Sequence, residues 1–107
     1  MNLWLDDVRE PPEDGRLWLH AKTVEEGTVA LIHGVGIASL DHDLGDGELT
    51  GYDLCVGMMT GNLWPTEAVW VHSMNIPAHE RMVQYLLDHS PVPVYSVQIG
   101  GVMQRRV

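Results

Sequence analysis

The sequence predicts an α/β fold: one five-stranded parallel sheet in a single domain over residues 1–107, with a proline-rich loop where the first crossover helix would stand. Three observations predict it. Short apolar runs, each closed by polar residues or glycine, recur with longer segments of helical period between them. Beyond residue 17 the two kinds of segment alternate, the pattern of a parallel sheet with helices on both faces. In the segment that follows the first run stand Pro11 and Pro12, which forbid a helix interior there.

Asn2 to Leu5 is the first, central strand, and it ends at Asp6-Asp7. The loop Val8 to Gly15 follows, and Leu17 to His20 is a second strand near an edge. Thr23 then caps a helix, with Glu26 three residues on as its capping-box partner. Val24, Val29, Ala30 and Ile32 supply its apolar face, Gly27 weakens it and Gly34 stops it. Ile37 to Leu40 is the third strand. The second helix opens at Thr50-Gly51-Tyr52-Asp53, turns Leu54, Cys55, Met58 and Met59 inward, and ends at Gly61-Asn62. Ala68 to Val71 is the fourth strand. A third helix begins at Asn75 or Ile76-Pro77, with Met82, Val83, Leu86 and Leu87 inside. Val92 to Val97 is the fifth strand, closed by Gly100-Gly101, and the basic end Gln104 to Val107 reads as a solvated tail.

Bulk properties narrow the function. The formal charge is −9, which repels nucleic-acid backbones, so broad DNA binding is not expected. No stretch is long and apolar enough to span a membrane. The N-terminal residues lack a basic region and reach acids at positions 6 and 7, so no signal peptide is expected. One cysteine, Cys55, excludes an intramolecular disulfide framework and fits a cytoplasmic location.

The chemistry gathers at strand ends. The first strand ends in Asp6-Asp7, the third in Asp41-His42-Asp43, the fourth in His72-Ser73. In a parallel sheet these ends share one edge, where ligands bind. Acids crowded there repel one another and resist burial unless paired or holding a cation. Asp6, Asp7, Asp41 and Asp43 are the candidate metal ligands. Oxygen donors suit Mg²⁺, Mn²⁺ or Ca²⁺, and the histidines leave Zn²⁺ or Fe²⁺ open. His42 and His72 are candidate proton carriers, because an imidazole titrates near neutrality. Arg9 is a candidate phosphate clamp. Ser73 and Asn75 are candidates for phosphate contact; Ser73 serves equally as a helix cap, and for Asn75 the capping role is favoured. His20, His33, His79 and His89 lack acids at ligand spacing and read as surface residues.

The paired acids, the acid after the third strand and the serine after the fourth resemble the response-regulator receiver domain. That resemblance implies the strand order 2-1-3-4-5, Mg²⁺ bound by the acids and a phosphoryl-accepting aspartate. Receivers also carry a lysine after the fifth strand, and Val94 to Ile99 has none. A fuller resemblance is to the cyclic-phosphate processing receiver-like domain. It rests on Leu3-Trp4-Leu5-Asp6-Asp7-Val8-Arg9-Glu10-Pro11-Pro12, Ser39-Leu40-Asp41-His42-Asp43-Leu44-Gly45, Thr50-Gly51-Tyr52-Asp53 and Val71-His72-Ser73-Met74-Asn75. It implies processing, by hydrolysis, of a small cyclic phosphate ester of nucleotide or RNA-end type, with a divalent metal, Mg or Mn first. Counting back from Gly51 favours Asp43 as the key acid, counting from the strand favours Asp41, and Asp43 is preferred as nucleophile or ligand. Two other classes remain open: a phosphoacceptor signalling receiver, and a non-enzymatic acidic protein that occupies a basic site on a protein partner.

Overall fold

The computed structural model describes residues 1–98 and 104–107. The chain runs β1 (Asn2–Leu5), β2 (Trp18–Ala21), α1 (Val24–His33), β3 (Ile37–Leu40), α2 (Gly51–Gly61), β4 (Ala68–Val71), α3 (Ile76–His89), β5 (Val94–Val97) and β6 (Gln104–Arg106). One sheet holds all the strands in the order β2-β1-β3-β4-β5-β6. The first four pairings are parallel and the last, β5 with β6, is antiparallel. This is a receiver-type order with one strand added.

That added strand corrects the reading of Gln104 to Val107 as a solvated tail. The segment pairs Gln104–Arg106 with β5, and the Val107 N–H reaches the Val94 carbonyl at 2.9 Å. An uncovered β5 would present a row of unpaired backbone groups, and a short charged strand is a common way to close such an edge. The Gly100-Gly101 stop lies outside the described residues.

The alternation of strands and helices gives the parallel sheet, but among the described residues the helices lie on one face rather than on both. β2→β3, β3→β4 and β4→β5 all step the same way across the sheet. Right-handed crossovers that step one way place every helix on one face. α1 accordingly touches α2, and α2 touches α3. All three pack on Leu3, Leu5, Ala38, Leu40, Val69 and Val71, the residues that alternate to that side. Only β1→β2 steps the other way, so its connection belongs to the opposite face. There the proline-rich loop covers the sheet. The Trp4 indole donates to the Arg9 carbonyl at 2.8 Å, and the Arg16 guanidinium lies 5.1 Å from the Trp70 ring centroid. Trp4, Trp18 and Trp70 form a row of ring contacts beneath it.

The helix termini follow the sequence. Thr23 accepts from the Glu26 N–H, while the Glu26 carboxylate takes the Lys22 N–H in place of the cap residue's own. Thr50 and Asp53 complete a full capping box. The apolar face of α1 is rotated from the expected one. Val24, Gly27, Ala30 and Leu31 are buried, whereas Val29 and Ile32 are exposed. Gly27 explains the rotation: a Cβ there would come within 3.3 Å of Leu54, so the glycine lets α1 approach α2 closely. On α3 the buried positions are Ala78, Met82 and Leu86, and Leu87 faces out. Among the described residues no helix is long and apolar enough to cross a membrane.

Candidate functional site

Asp6 follows β1, Asp41 follows β3 and His72 follows β4. All three are buried. Each offers a ligand atom, and these atoms lie within 4.8 Å of one another. Strand alternation puts Asp6 on the same side as Trp4, and Asp41 on the same side as Ser39. The acids therefore sit beneath the loop on the face opposite α1, α2 and α3.

Asp6 is held by four contacts to its two carboxyl oxygens and its carbonyl. Its Oδ1 accepts the Val8 and Arg9 N–H groups at 2.9 and 2.8 Å. Its Oδ2 accepts from His72 Nε2 at 3.1 Å, and its carbonyl takes His20 Nε2 at 2.7 Å. Burial alone would raise its pKa, but the His72 and backbone hydrogen bonds together bring it below the ordinary carboxylate value. His72 Nδ1 meets the Ser39 hydroxyl at 2.7 Å. The ring stacks on Trp4 at 3.9 Å with 2° between planes. Both imidazole nitrogens are thus engaged and the ring is fully buried.

Asp41 is different. Its Oδ1 accepts the His42 N–H at 2.8 Å, and its Oδ2 takes no hydrogen bond from a described residue. Burial and the negative charge of Asp6 raise its pKa, the signature of a carboxylate short of positive partners. Gly51 lies against it: a Cβ at Gly51 would collide with the Asp41 carbonyl. Only glycine lets the start of α2 come this close to the acid.

A cleft of about 460 Å³ opens over these groups. Asp7, Asp41, Asp43 and Asp46 contribute its carboxylates, and Arg9 is the single basic residue among the described residues that line it. Asp43 is well exposed. It accepts from His42 Nδ1 at 2.7 Å and Asn75 Nδ2 at 3.4 Å. The His42 contact, followed by the Asn75 contact, holds its pKa below the usual carboxylate value. Arg9 Nη2 reaches Met74 Sδ at 2.9 Å, which ties the loop after β1 to the loop after β4.

The sequence candidates fall into three places. Asp7, Asp41, Asp43, Arg9 and Asn75 line the cleft. Asp6 and His72 lie behind it, bonded to each other. Ser73 is buried, its hydroxyl accepting from the Asn75 N–H at 3.2 Å, and Asn75 caps α3. His42 is not among the cleft-lining residues. Ser39 and Trp4 went unnamed as site residues, though each stands two positions before an acid on the same strand face. His20 and His79, expected at the surface, are half-buried and hydrogen-bonded.

With this geometry in hand, the family assignment is direct. The model of the cyclic-phosphate processing receiver domain family matches residues 1–88. The chain belongs to this family. The match spans every strand end that supplies the cleft, from Asp6 to Asn75. No curated protein and no solved structure gives a significant match. The family's name ties this receiver domain to cyclic-phosphate processing.

Proposed function

We propose that the chain hydrolyses a cyclic phosphate ester in the Asp41–Arg9 cleft with the help of a divalent cation. The observation that carries this reading is the charge balance of the cleft: four carboxylates against one guanidinium. An anionic phosphate is repelled from such a surface until a cation neutralises part of it. The donor set suits Mg²⁺ or Mn²⁺, which take oxygen ligands. Asp41, whose Oδ2 takes no hydrogen bond from a described residue, and Asp7 would hold the ion, with Asp6 behind them. When bound, it would neutralise the carboxylates and polarise a phosphoryl oxygen.

The chain's own residues then divide the work. Arg9 binds the phosphate through charge-assisted hydrogen bonds, its backbone fixed by Asp6 and Trp4. Asp43, ionised and oriented by His42, takes the proton from the attacking water. Water adds to phosphorus, one ring P–O bond opens, and the released oxygen takes the proton back from Asp43 and leaves as a hydroxyl. His72, with both nitrogens hydrogen-bonded, positions Asp6 and transfers no proton in this scheme. The phosphoacceptor alternative has less support, because β5 supplies no lysine to offset phosphoryl charge.

The test is a ³¹P NMR assay on 2′,3′- and 3′,5′-cyclic nucleotides with Mg²⁺, Mn²⁺, Ca²⁺ or Zn²⁺. Ring-opened monoester is expected from at least one pair, with a loss of about 100-fold or more in Asp41→Asn. No product with any pair, or full activity in the variant, refutes the reading.

A further inference from the structure

The cleft accounts for only part of the sheet's carboxyl edge. A second cavity, of about 550 Å³, lies between the start of α3 and the β5–β6 pair. Met74 lines both cavities, so the two adjoin across one side chain. Their chemistry differs. Where the first is strongly acidic, the second carries, among the described residues, one acid, Glu80, and one base, Arg105, for no net formal charge.

Ile76 and Met74 on the α3 side and Val97 on the β5 side supply the apolar lining of the second cavity. Ile76 and Met74 are 67% and 63% exposed, so their apolar surface stands open. The cavity's imidazole, His79, is fixed. Its Nδ1 donates to the Ser73 carbonyl at 2.8 Å, which leaves Nε2 to accept the Ser96 hydroxyl proton at 2.8 Å. His79 therefore stiffens the wall and is not free to act as a base. Gln98, Glu80 and Arg105 bring donors and acceptors that no described side chain satisfies. A neutral cavity with apolar lining and exposed polar side chains at its edge suits an uncharged body that is apolar with a polar edge.

We propose that this cavity is the subsite for the body of the ester, and that the body is a nucleoside, its base against Ile76 and Val97 and its polar edge on Gln98 and Glu80. The assignment rests on the cyclic-phosphate reading: the phosphate sits in the acidic cleft, the nucleoside in the neutral cavity, with Met74 between them. Arg9, in contact with Met74, would then hold the divider as well as the anion.

Two measurements separate this proposal from the reading it extends. In the first, adenosine without phosphate is titrated into the protein by NMR. Perturbations are expected at Ile76 and His79, with affinity reduced about tenfold in the double variant Ile76→Ser, Gln98→Ala. In the second, the same variant is compared with wild type on adenosine 2′,3′-cyclic phosphate and on glycerol 1,2-cyclic phosphate. KM should rise about tenfold for the nucleoside substrate alone, with kcat unchanged. Absence of adenosine perturbations at the second cavity overturns the subsite. So does a KM that moves equally, or not at all, for both substrates. If adenosine binds there and no cyclic phosphate opens, the hydrolytic reading falls while the nucleoside site stands.

Discussion

Replacing Asp41 with asparagine keeps its shape and removes its charge. Asp41 is 5% exposed, and its ligand oxygen lies within 4.8 Å of that of Asp6. Two negative charges at this distance repel by roughly 3–4 kcal/mol at an effective dielectric of about 20. The His42 N–H, His72 and Arg9 offset part of that repulsion, and an asparagine oxygen keeps the first of these contacts. The metal-free variant should therefore be more stable than wild type at pH 7 by about 1–2 kcal/mol, a rise in Tm of roughly 5–10 °C. The pH dependence fixes the cause. Asp41 has a raised folded-state pKa, so the folded chain binds that proton more tightly than the unfolded one. Wild-type stability then falls as pH rises from the unfolded to the folded pKa of this group. The variant lacks that step, so the two stability curves should approach each other in acid and separate towards neutrality. Circular-dichroism melts in EDTA across that range read the difference directly. Saturating Mg²⁺, at about 100 times its Kd, should add roughly 2.7 kcal/mol to wild type and far less to the variant. A variant that melts at or below wild type at pH 7 without metal would refute the reasoning.

Other expectations follow from the same contacts. His72→Ala leaves Asp6 and Ser39 without their partner and opens a void beside Trp4; a loss of about 3–5 kcal/mol is expected in urea melts. Gly51→Ala forces the start of α2 off the Asp41 carbonyl, so calorimetry should show weakened Mn²⁺ binding even where the variant folds. Asp6 has a depressed pKa; its contribution to stability is present above the unfolded carboxylate value and lost as pH falls through the folded one, a step that acid melts of Asp6→Ala should lack. Burial pushes the Cys55 thiol up to about 12, so a thiol reagent should label the protein only after denaturant is added.

Much of this architecture was legible before any coordinates, and the reasons differ by element. β4 and the caps of α2 and α3 are written locally, in an apolar run and in Thr50, Asp53 and Asn75. The strand-end acids could be placed on one edge because parallel strands share a direction. The faces of the sheet were harder. Which side each helix takes depends on the direction of each crossover, and that emerges only from the strand order. The inner face of α1 was missed because Gly27 offers no apolar side chain, yet it is buried against Leu54 of α2. The sixth strand was missed because a charged segment at the sheet's edge looks like a tail. At the site, acid positions were visible, but the distinction between buried Asp41 and exposed Asp43 was not. It depends on where the chain leaves β3, one residue before Asp41.

The loop between β1 and β2 serves two masters at once. One end sets Arg9 and Asp6 at the cleft, and the other roofs the tryptophan row that completes the sheet's second layer. In most enzymes a variable loop can drift while a separate core maintains the fold. Here the segment free to diversify in other folds is itself the missing wall of the core. Substitutions between Val8 and Leu17 should therefore be screened for abundance and for ligand binding in the cleft together, since a change that retunes one is constrained by the other.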